Sequence, residues 1–283
     1  ALATCTVRVE GKKIEDDPAT DDKDPTPDDK DDKLEGLTLV WSDEFDGTEL
    51  DRSKWDYRMS MMQKSWQAWT DKGVHLDGNG NCVFTLTMDE NGNPVSSQLQ
   101  TGYNFMDQPV AETKFGNDHL QWPIGKLKQS MYLHGPGYYE CRCKFQQEPD
   151  VMWSAFWLQA PTIGTNYDPK WCGVECDIME YFKPGENTSG NIYGGYGHQC
   201  REDGRIRYPL EETADGWHYF GLDWREDGYT YYCDGKEMAR CNKVVSFVPQ
   251  FILLTTEIVG YRTGAPLKVG ERMIDKQAVK VHD

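Results

Sequence analysis

The sequence predicts an all-β protein whose strands form a sandwich or a barrel. Its 283 residues include 10 Trp, 15 Tyr, 10 Phe and 27 Gly, a composition that favours sheets over helices. Strand-like segments are separated by turn signals about every 8 to 12 residues, and no long segment follows the 3.6-residue period of a helix. The length suits one large all-β domain.

The first elements of the domain are a strand and a hairpin. Residues 37–47, LTLVWSDEFDG, predict a strand that ends in an acidic turn. Residues 80–102 alternate apolar and polar side chains on either side of Asn91-Gly92, a dipeptide typical of tight β-hairpins. Residues 97–127, which begin within the last strand of this hairpin, form a long and weakly patterned segment. We place it at the rim of a cleft, because long loops in compact domains are usually functional.

Later strands follow at short intervals. The strand at 135–147 alternates strictly, with Glu140 and Arg142 on one face and Cys141 and Cys143 on the other. Further strands are predicted at 151–161, 173–182, 190–200, 216–241, 249–260 and 276–283, and the segment 216–241 is a hairpin with a first turn at Glu226-Asp227-Gly228 and a second at Asp234-Gly235.

The N-terminal residues differ in composition from the rest. Residues 1–36 are predicted to be an acidic tail or linker, mostly disordered, and the domain is expected to span 37–283. Residues 11–36 hold 11 acidic residues and 5 lysines with almost nothing apolar to bury. Residues 1–14 alternate well enough for one strand that could dock on the sheet. Deletion of residues 1–34 is nevertheless expected to leave the domain functional.

The charge excludes some classes of partner. A net charge of −17 argues against a nucleic-acid partner, because phosphate contacts need Lys and Arg. No apolar run approaches the roughly 20 residues of a membrane span. The stretch LATC that ends at Cys5 is similar to a lipoprotein attachment site. We therefore expect a secreted or cell-surface bacterial protein, a monomer, with a lipid anchor on the N-terminal tail as one alternative.

The nine cysteines follow no metal-binding spacing. Cys141 with Cys143, and Cys172 with Cys176, would each point into the same core from a strand. This arrangement predicts small buried thiols, with a disulfide framework as the alternative.

Residues 173–182, GVECDIMEYF, carry three acids within six positions. Glu175 and Asp177 share a face of a regular strand, whereas Glu180 has the opposite parity. A one-residue bulge at Ile178-Met179 would bring all three acids to one face, and bulges are common beside active sites. Two carboxyl groups about 5 to 5.5 Å apart suit a retaining glycosidase. The alternatives are a solvated sheet face and a calcium site, although calcium ligands usually come from a turn.

Aromatic side chains surround the acids in sequence. We predict that they bind a carbohydrate, since aromatic rings stack on the apolar faces of sugars. Taken singly, each of these residues could instead belong to the hydrophobic core. The aromatic residues close to the acids are Trp153, Trp157, Trp171 and Tyr181. The further residues predicted to bind substrate are Glu140, Arg142, His198, Arg58, Trp66 and Trp69.

The stretch ECDIMEYF resembles the Glu-x-Asp-x-x-Glu signature of glycoside hydrolase family 16. Residues 152–161 resemble that family's Trp-Pro-Ala-Phe-Trp strand, with Ser154 where Pro is common. Residues 41–55, 137–145 and 216–236 resemble other strands of the family, in the family's order. The resemblance runs from about Leu37 to the end. It implies a β-jelly-roll sandwich, similar to concanavalin A-like lectins and glucanases, with a concave substrate cleft.

The resemblance also implies roles for the acids. Glu175 would be the nucleophile, Asp177 a helper and Glu180 the acid/base of a retaining, endo-acting hydrolase that needs no cofactor. The face of Glu140 and Arg142 would line the sugar cleft. Family members often bind a structural calcium ion, for which the candidate ligands are Glu44, Asp46 and Asp275, although Gln277 stands where the family's terminal strand usually carries an Asp.

The resemblance leaves the polysaccharide open. A β-1,3- or mixed-linkage β-glucan, or a β-galactan, is the main expectation. The alternatives are sulfated algal galactans (porphyran or agar) and mucin-type glycans, of which the sulfated ones would require basic residues such as Arg58, Lys64 and Arg142 along the cleft. An alternative of another class is a non-catalytic, lectin-like carbohydrate-binding module.

Overall fold

The computed structural model describes residues 7–10, 34, 36–60, 68–108, 113–115, 121–123, 127–145, 152–183, 186–194, 200–201, 205–258 and 280–282. Among these, one short helix, α1, spans Pro169–Cys172, and a 3₁₀ turn spans Phe105–Asp107. No helix in these ranges is long and apolar enough to cross a membrane.

The remaining elements are strands. In chain order they are β1 (Val7–Glu10), β2 (Leu39–Asp43), β3 (Asp56–Tyr57), β4 (Val74–Leu76), β5 (Cys82–Thr85), β6 (Thr87–Met88), β7 (Pro94–Val95), β8 (Gln98–Gln100), β9 (Thr113–Phe115), β10 (Gln121–Pro123), β11 (Gly137–Cys143), β12 (Met152–Gln159), β13 (Glu175–Lys183), β14 (Glu186–Ser189), β15 (Asn191–Gly194), β16 (Cys200–Arg201), β17 (Ile206–Pro209), β18 (His218–Arg225), β19 (Gly228–Cys233), β20 (Lys236–Cys241), β21 (Phe251–Ile258) and β22 (Lys280–His282).

Two antiparallel sheets dominate the fold. The first has the order β2-β1-β11-β18-β19-β20, and the second has the order β16-β15-β13-β12-β21-β8-β3, with β14 and β17 attached beside β13. The smaller sheets are β22-β5-β4, β6-β7 and β9-β10. This is the predicted all-β sandwich, and the strand that carries the three acids lies inside the second sheet.

A common core fills the space between the two large sheets. Tyr139 and Cys141 of β11 are buried in it together with Cys176 and Ile178 of β13. Cys176 Sγ lies 3.1 Å from the hydroxyl oxygen of Tyr231, on β19 of the first sheet. The inward-facing residues of both sheets therefore belong to one apolar cluster, as expected for a sandwich.

The cysteine prediction holds for the residues that the structure describes. Their seven cysteine side chains are all buried thiols that form no disulfide: Cys82, Cys141, Cys143, Cys172, Cys176, Cys233 and Cys241. Cys141 and Cys143 point to the same side of β11, with their Sγ atoms 3.4 Å apart.

The hairpins are partly as predicted. Both turns of 216–241 are confirmed, since β18 pairs with β19 and β19 with β20. Asp234 and Gly235 have φ angles of 48° and 77°, the left-handed pair that a tight hairpin turn needs. The hairpin around Asn91-Gly92 is shorter than predicted, because only β6 and β7 pair across it. The flanking strands β5 and β8 join two other sheets.

The N-terminal alternation corresponds to a strand within the first sheet. Residues 7–10 form β1, which pairs with β2 on one side and β11 on the other. Residues 11–33 lie outside the described residues. β1 is therefore an internal strand of the sheet, although it comes from the segment predicted to be a tail.

Candidate active site

The pairing of β12 with β13 contains a one-residue shift. Met179 lies opposite Phe156, whereas Asp177 lies opposite Trp157, so Ile178 has no residue of its own opposite it on β12. This is the bulge predicted between Asp177 and Glu180.

The bulge places the three acids on one face of the second sheet. Glu175, Asp177 and Glu180 lie opposite three alternate residues of β12, which in turn lie opposite alternate residues of β21. We call this surface the acid face: it comprises the three acids of β13 with Trp153, Ala155, Trp157 and Gln159 of β12 and Phe251, Leu253, Thr255 and Glu257 of β21. Its rear side is the sandwich core.

A single amide links two of the acids. Asn191 of β15 lies opposite Asp177, and its Nδ2 donates hydrogen bonds to Asp177 Oδ2 at 2.9 Å and to Glu180 Oε2 at 3.2 Å. Asn191, Asp177 and Glu180 are all buried. Two buried carboxyl groups that share one donor are held in a fixed relative orientation.

The third acid has a donor of its own. Gln159 Nε2 donates to Glu175 Oε2 at 3.0 Å. The side-chain oxygen of Gln159, Oε1, accepts hydrogen bonds from Arg58 Nη2 at 2.8 Å and from Asn104 Nδ2 at 2.6 Å. Glu175 thus stands at the end of a hydrogen-bonded network that begins at the fully buried Arg58.

The electrostatics distinguish Glu180 from an ordinary glutamate. Burial, followed by the negative charge of Glu175, raises the pKa of Glu180 to about 7, while Arg205 and Asn191 act in the opposite direction. A second carboxylate, Glu257 on β21, also raises this pKa. A carboxyl group with a pKa near neutrality can both donate and accept a proton under ordinary conditions.

Two of the predicted aromatic residues belong to the acid face. Trp157 lies opposite Asp177, and its Nε1 donates to Thr255 Oγ1 at 3.0 Å. Trp153 lies two residues before Ala155 on the same side of β12 and is half-buried.

The prediction for Glu140 and Arg142 is wrong. Their strand, β11, pairs with β1 and β18 in the first sheet and does not lie beside β13. The alternation was read correctly, because Cys141 and Cys143 are buried while Glu140 and Arg142 are half-buried on the outer side. Arg142 forms an ion pair there with Asp215 at 3.0 Å.

Tyr181 and Arg58 are also placed differently from the prediction. Tyr181 is in the core, where its ring stacks on Phe145 with centroids 4.1 Å apart. The bulge explains this position, since once Glu180 faces outward its neighbour must face inward. Arg58 is fully buried against Trp157 and Phe251 of the acid face and has no surface with which to touch a sugar.

The other predicted residues are dispersed. Trp69 is buried in a second apolar cluster with Phe105 and Met106. Trp171 is 74% exposed on α1. His198 and Trp66 lie outside the described residues.

The structure gives the calcium prediction no support. The one group of three potential metal ligands among the described residues is His218, Cys233 and Asp234, which does not include Glu44 or Asp46. Asp275 lies outside the described residues, so calcium binding at these positions stays a prediction.

Sequence reasoning missed three residues that contact or influence the acids. Asn191, Gln159 and Glu257 lie on the same face as the acids but carry no recognisable motif. The alternation of side chains along β12 could have predicted Gln159, because it lies two positions after Trp157 and therefore on the same side of the strand. Nothing local indicated Asn191 or Glu257, because their positions follow from strand pairing.

Comparison with known proteins points to one family. The family model described as "Glycosyl hydrolases family 16" matches residues 62–258, which is more than half of the chain. A curated relative, "Glucan endo-1,3-beta-glucosidase A1" from Niallia circulans, is 28% identical over 214 residues, covering 72% of this chain and 29% of the relative. "Endo-1,3-1,4-beta-glycanase EglC" from Rhizobium meliloti (strain 1021) is 24% identical over 241 residues, covering 81% of this chain and 48% of the relative. This chain therefore spans less than half the length of either relative.

A solved structure has the same fold. The catalytic domain of an endo-1,3-beta-glucanase (laminarinase) from Thermotoga petrophila RKU-1 superimposes with a TM-score of 0.58 and 21% identity. The match covers 87% of this chain and 95% of that domain. At this identity the likeness establishes the jelly-roll sandwich.

Proposed function

Because the chain belongs to glycosyl hydrolase family 16, we propose that it is a retaining, endo-acting hydrolase of β-1,3- or mixed-linkage β-glucans. The observation that carries the proposal is the arrangement of Glu175, Asp177 and Glu180 on one face of a bulged strand, with a different hydrogen-bonding environment for each glutamate.

Glu180 is the acid/base in this proposal. Its pKa of about 7 leaves the carboxyl group protonated in mildly acidic solution. In the first step it gives its proton to the glycosidic oxygen as the bond to the leaving sugar breaks. In the second step it takes a proton from the attacking water, which restores the starting state.

Glu175 is the nucleophile. An ionised carboxylate attacks the anomeric carbon as the glycosidic bond breaks and forms a covalent glycosyl-enzyme, which water then hydrolyses with release of the carboxylate. The amide of Gln159 supports this role, because a hydrogen bond donated to a carboxylate favours its ionised form.

Asp177 is the helper residue. It lies between the two glutamates in sequence and shares the donor Asn191 with Glu180. By accepting a hydrogen bond from Asn191, Asp177 fixes the amide that orients Glu180. Asp177 itself forms no covalent bond with the substrate.

A neutral substrate is supported by the described residues of the acid face, none of which is basic, although the charge of Arg205 in the segment before β17 acts on Glu180. Of the residues proposed for sulfate recognition, Arg58 is buried, Arg142 belongs to the other sheet and Lys64 lies outside the described residues. The acid-face residues of β12 and β21 include none that is basic. The names of the relatives from Niallia circulans and Rhizobium meliloti refer to 1,3- and 1,3-1,4-linked substrates, which supports a β-glucan.

The test is release of reducing ends from a panel of laminarin, lichenan, agarose, porphyran and mucin, with the Glu175→Gln variant as the control. We expect oligosaccharides from laminarin or lichenan with the wild type and none with the variant. Nuclear magnetic resonance of the first products should show the β-anomer before mutarotation. Binding without product release would indicate a lectin-like module, and an initial α-anomer would refute the retaining mechanism.

A further inference from the structure

Arg58 is a fully buried cation on the same side of the second sheet as the acids. Its Nε donates to Gln100 Oε1 at 2.8 Å and lies 3.5 Å from Asp107 Oδ1. Its guanidinium carbon lies 5.5 Å from the ring centre of Trp157 and 5.6 Å from that of Phe251. A buried charge of this kind is retained only where its partners are well placed, and one branch of the network points toward the acids.

That branch passes through Gln159, whose amide orientation is determined by its neighbours. Arg58 and Asn104 both donate to its carbonyl oxygen, so the amino group must point the other way. It donates to Glu175 Oε2 at 3.0 Å, and Met106 Sδ lies 3.9 Å away. A glutamine held in this way presents a donor to Glu175 and cannot rotate to present an acceptor.

The branch has a chemical consequence for Glu175. The positive charge of Arg58 polarises the Gln159 amide, and hydrogen bonds in such a chain strengthen one another. The donor both stabilises the ionised carboxylate and limits its rotation. An attacking carboxylate needs both properties, because misplacement by about 1 Å can cost about a hundredfold in rate.

We propose that Arg58, acting through Gln159, is a positioning residue. It keeps the Glu175 carboxylate ionised and oriented for attack on the anomeric carbon. The inference rests on the proposed role of Glu175 as nucleophile. The proposed role of Arg58 is catalytic support, in addition to the structural role that its burial and its ion pair with Asp107 indicate.

The sharpest test is Gln159→Glu. The substitution keeps the size of the side chain and gives Arg58 and Asn104 a better acceptor, so their side of the network keeps its partners. It replaces the donor that faces Glu175 by a second carboxylate oxygen. We expect a protein that still folds, a fall in kcat of at least about tenfold at pH 5, and a shift of the acidic limb of the kcat/KM profile upward by about one pH unit.

Two more variants complete the experiment. Gln159→Leu should also lower kcat and shift the acidic limb, by less than Gln159→Glu, because it removes the donor without adding a charge. The matched control is Gln250→Leu, which makes the same change at another fully buried glutamine, whose amide has no hydrogen-bond partner within the described residues. This control should leave both the rate and the pH profile unchanged.

The outcomes separate this inference from the proposed function. A wild-type protein that cleaves laminarin or lichenan, together with a Gln159→Glu variant of unchanged kcat and unchanged acidic limb, would overturn the positioning role alone. A wild type that cleaves no polysaccharide of the panel would overturn the proposed function and, with it, this inference. Loss of rate with the predicted shift in both Gln159 variants would support it.

Discussion

The side-chain amide of Asn191 donates to both Asp177 and Glu180, at 2.9 and 3.2 Å, and so joins two acids that stand three positions apart on a bulged strand. The hydrogen bond to Glu180 lowers the pKa of that carboxyl group, against the burial that raises it. Asn191 therefore influences when Glu180 releases its proton.

The Asn191→Leu variant tests this influence. Removal of the donor should raise the pKa of Glu180 above about 7, so the basic limb of the kcat/KM profile should move to higher pH by about half a unit. We expect kcat to fall by about tenfold as the orientation of Glu180 is lost. Asn187→Leu is the control, because Asn187 is a buried asparagine of the same sheet that donates to Tyr208 at 2.9 Å. A basic limb that stays in place in Asn191→Leu would contradict the prediction.

The two glutamates should differ in how they respond to the leaving group. Glu180→Gln should lower the rate on polysaccharide by about 10²- to 10⁴-fold, since general acid catalysis is lost. On an aryl glycoside with a strongly acidic phenol, the first step should be nearly as fast as in the wild type, because that leaving group departs without a proton. Glu175→Gln should be inactive on both substrates. Equal losses for the two variants on the aryl glycoside, measured as the burst of phenol, would show that the roles are not divided as proposed.

Stability should depend on pH through Glu180. Its pKa is about 7 in the folded protein and near the ordinary glutamate value of 4.5 when unfolded, so the folded state binds its proton more tightly. The stabilisation is complete below about pH 4.5 and is lost as the pH rises through about 7. The melting temperature of the wild type should therefore fall between pH 5 and pH 8 by more than that of Glu180→Gln, with a difference of about a few degrees. Identical pH dependence in the two proteins would exclude this contribution.

The buried thiols can be counted chemically. In the native protein, a thiol reagent should fail to label the seven buried cysteines of the described residues within minutes. Only Cys5 and Cys200, whose side chains lie outside the described ones, remain as candidates for rapid reaction. In denaturant without reductant, all nine cysteines should react. A lower count in denaturant would reveal a disulfide.

The position of β1 revises the expected effect of an N-terminal deletion. Removing residues 1–34 deletes a strand that pairs with both β2 and β11, and it leaves the backbone groups of two strands without their partners. We expect poor solubility or a melting temperature lower by about ten degrees. Replacing only residues 11–33 by a short Gly/Ser linker should leave stability and activity nearly unchanged. Equal stability of the deletion variant and the linker variant would show that β1 contributes little.

The parity of the strands made the acids predictable. Because side chains alternate at a period of two, the spacing of Glu175, Asp177 and Glu180 required a bulge, and the structure has it at Ile178. The same argument, continued by one residue, would have placed Tyr181 in the core.

The order of the strands within the sheets could not be predicted from the sequence. Alternation assigned Glu140 and Cys141 to opposite faces correctly, but it holds no information on which sheet receives their strand. The hydrogen bond between Arg58 and Gln159 joins residues that are 101 positions apart, and such contacts arise only from the tertiary fold.

The internal position of β1 also determines the order in which the first sheet can be completed during synthesis on the ribosome. Val7 leaves the exit tunnel long before Cys141, the residue opposite it on one side, because 134 positions separate the two in the sequence. At about 5 to 20 residues per second, β1 waits many seconds for β11, while β2 becomes available much earlier. The nascent chain therefore passes through a period in which β1 and β2 can form at most an isolated pair, and the edge of β1 that later pairs with β11 stays open during that interval.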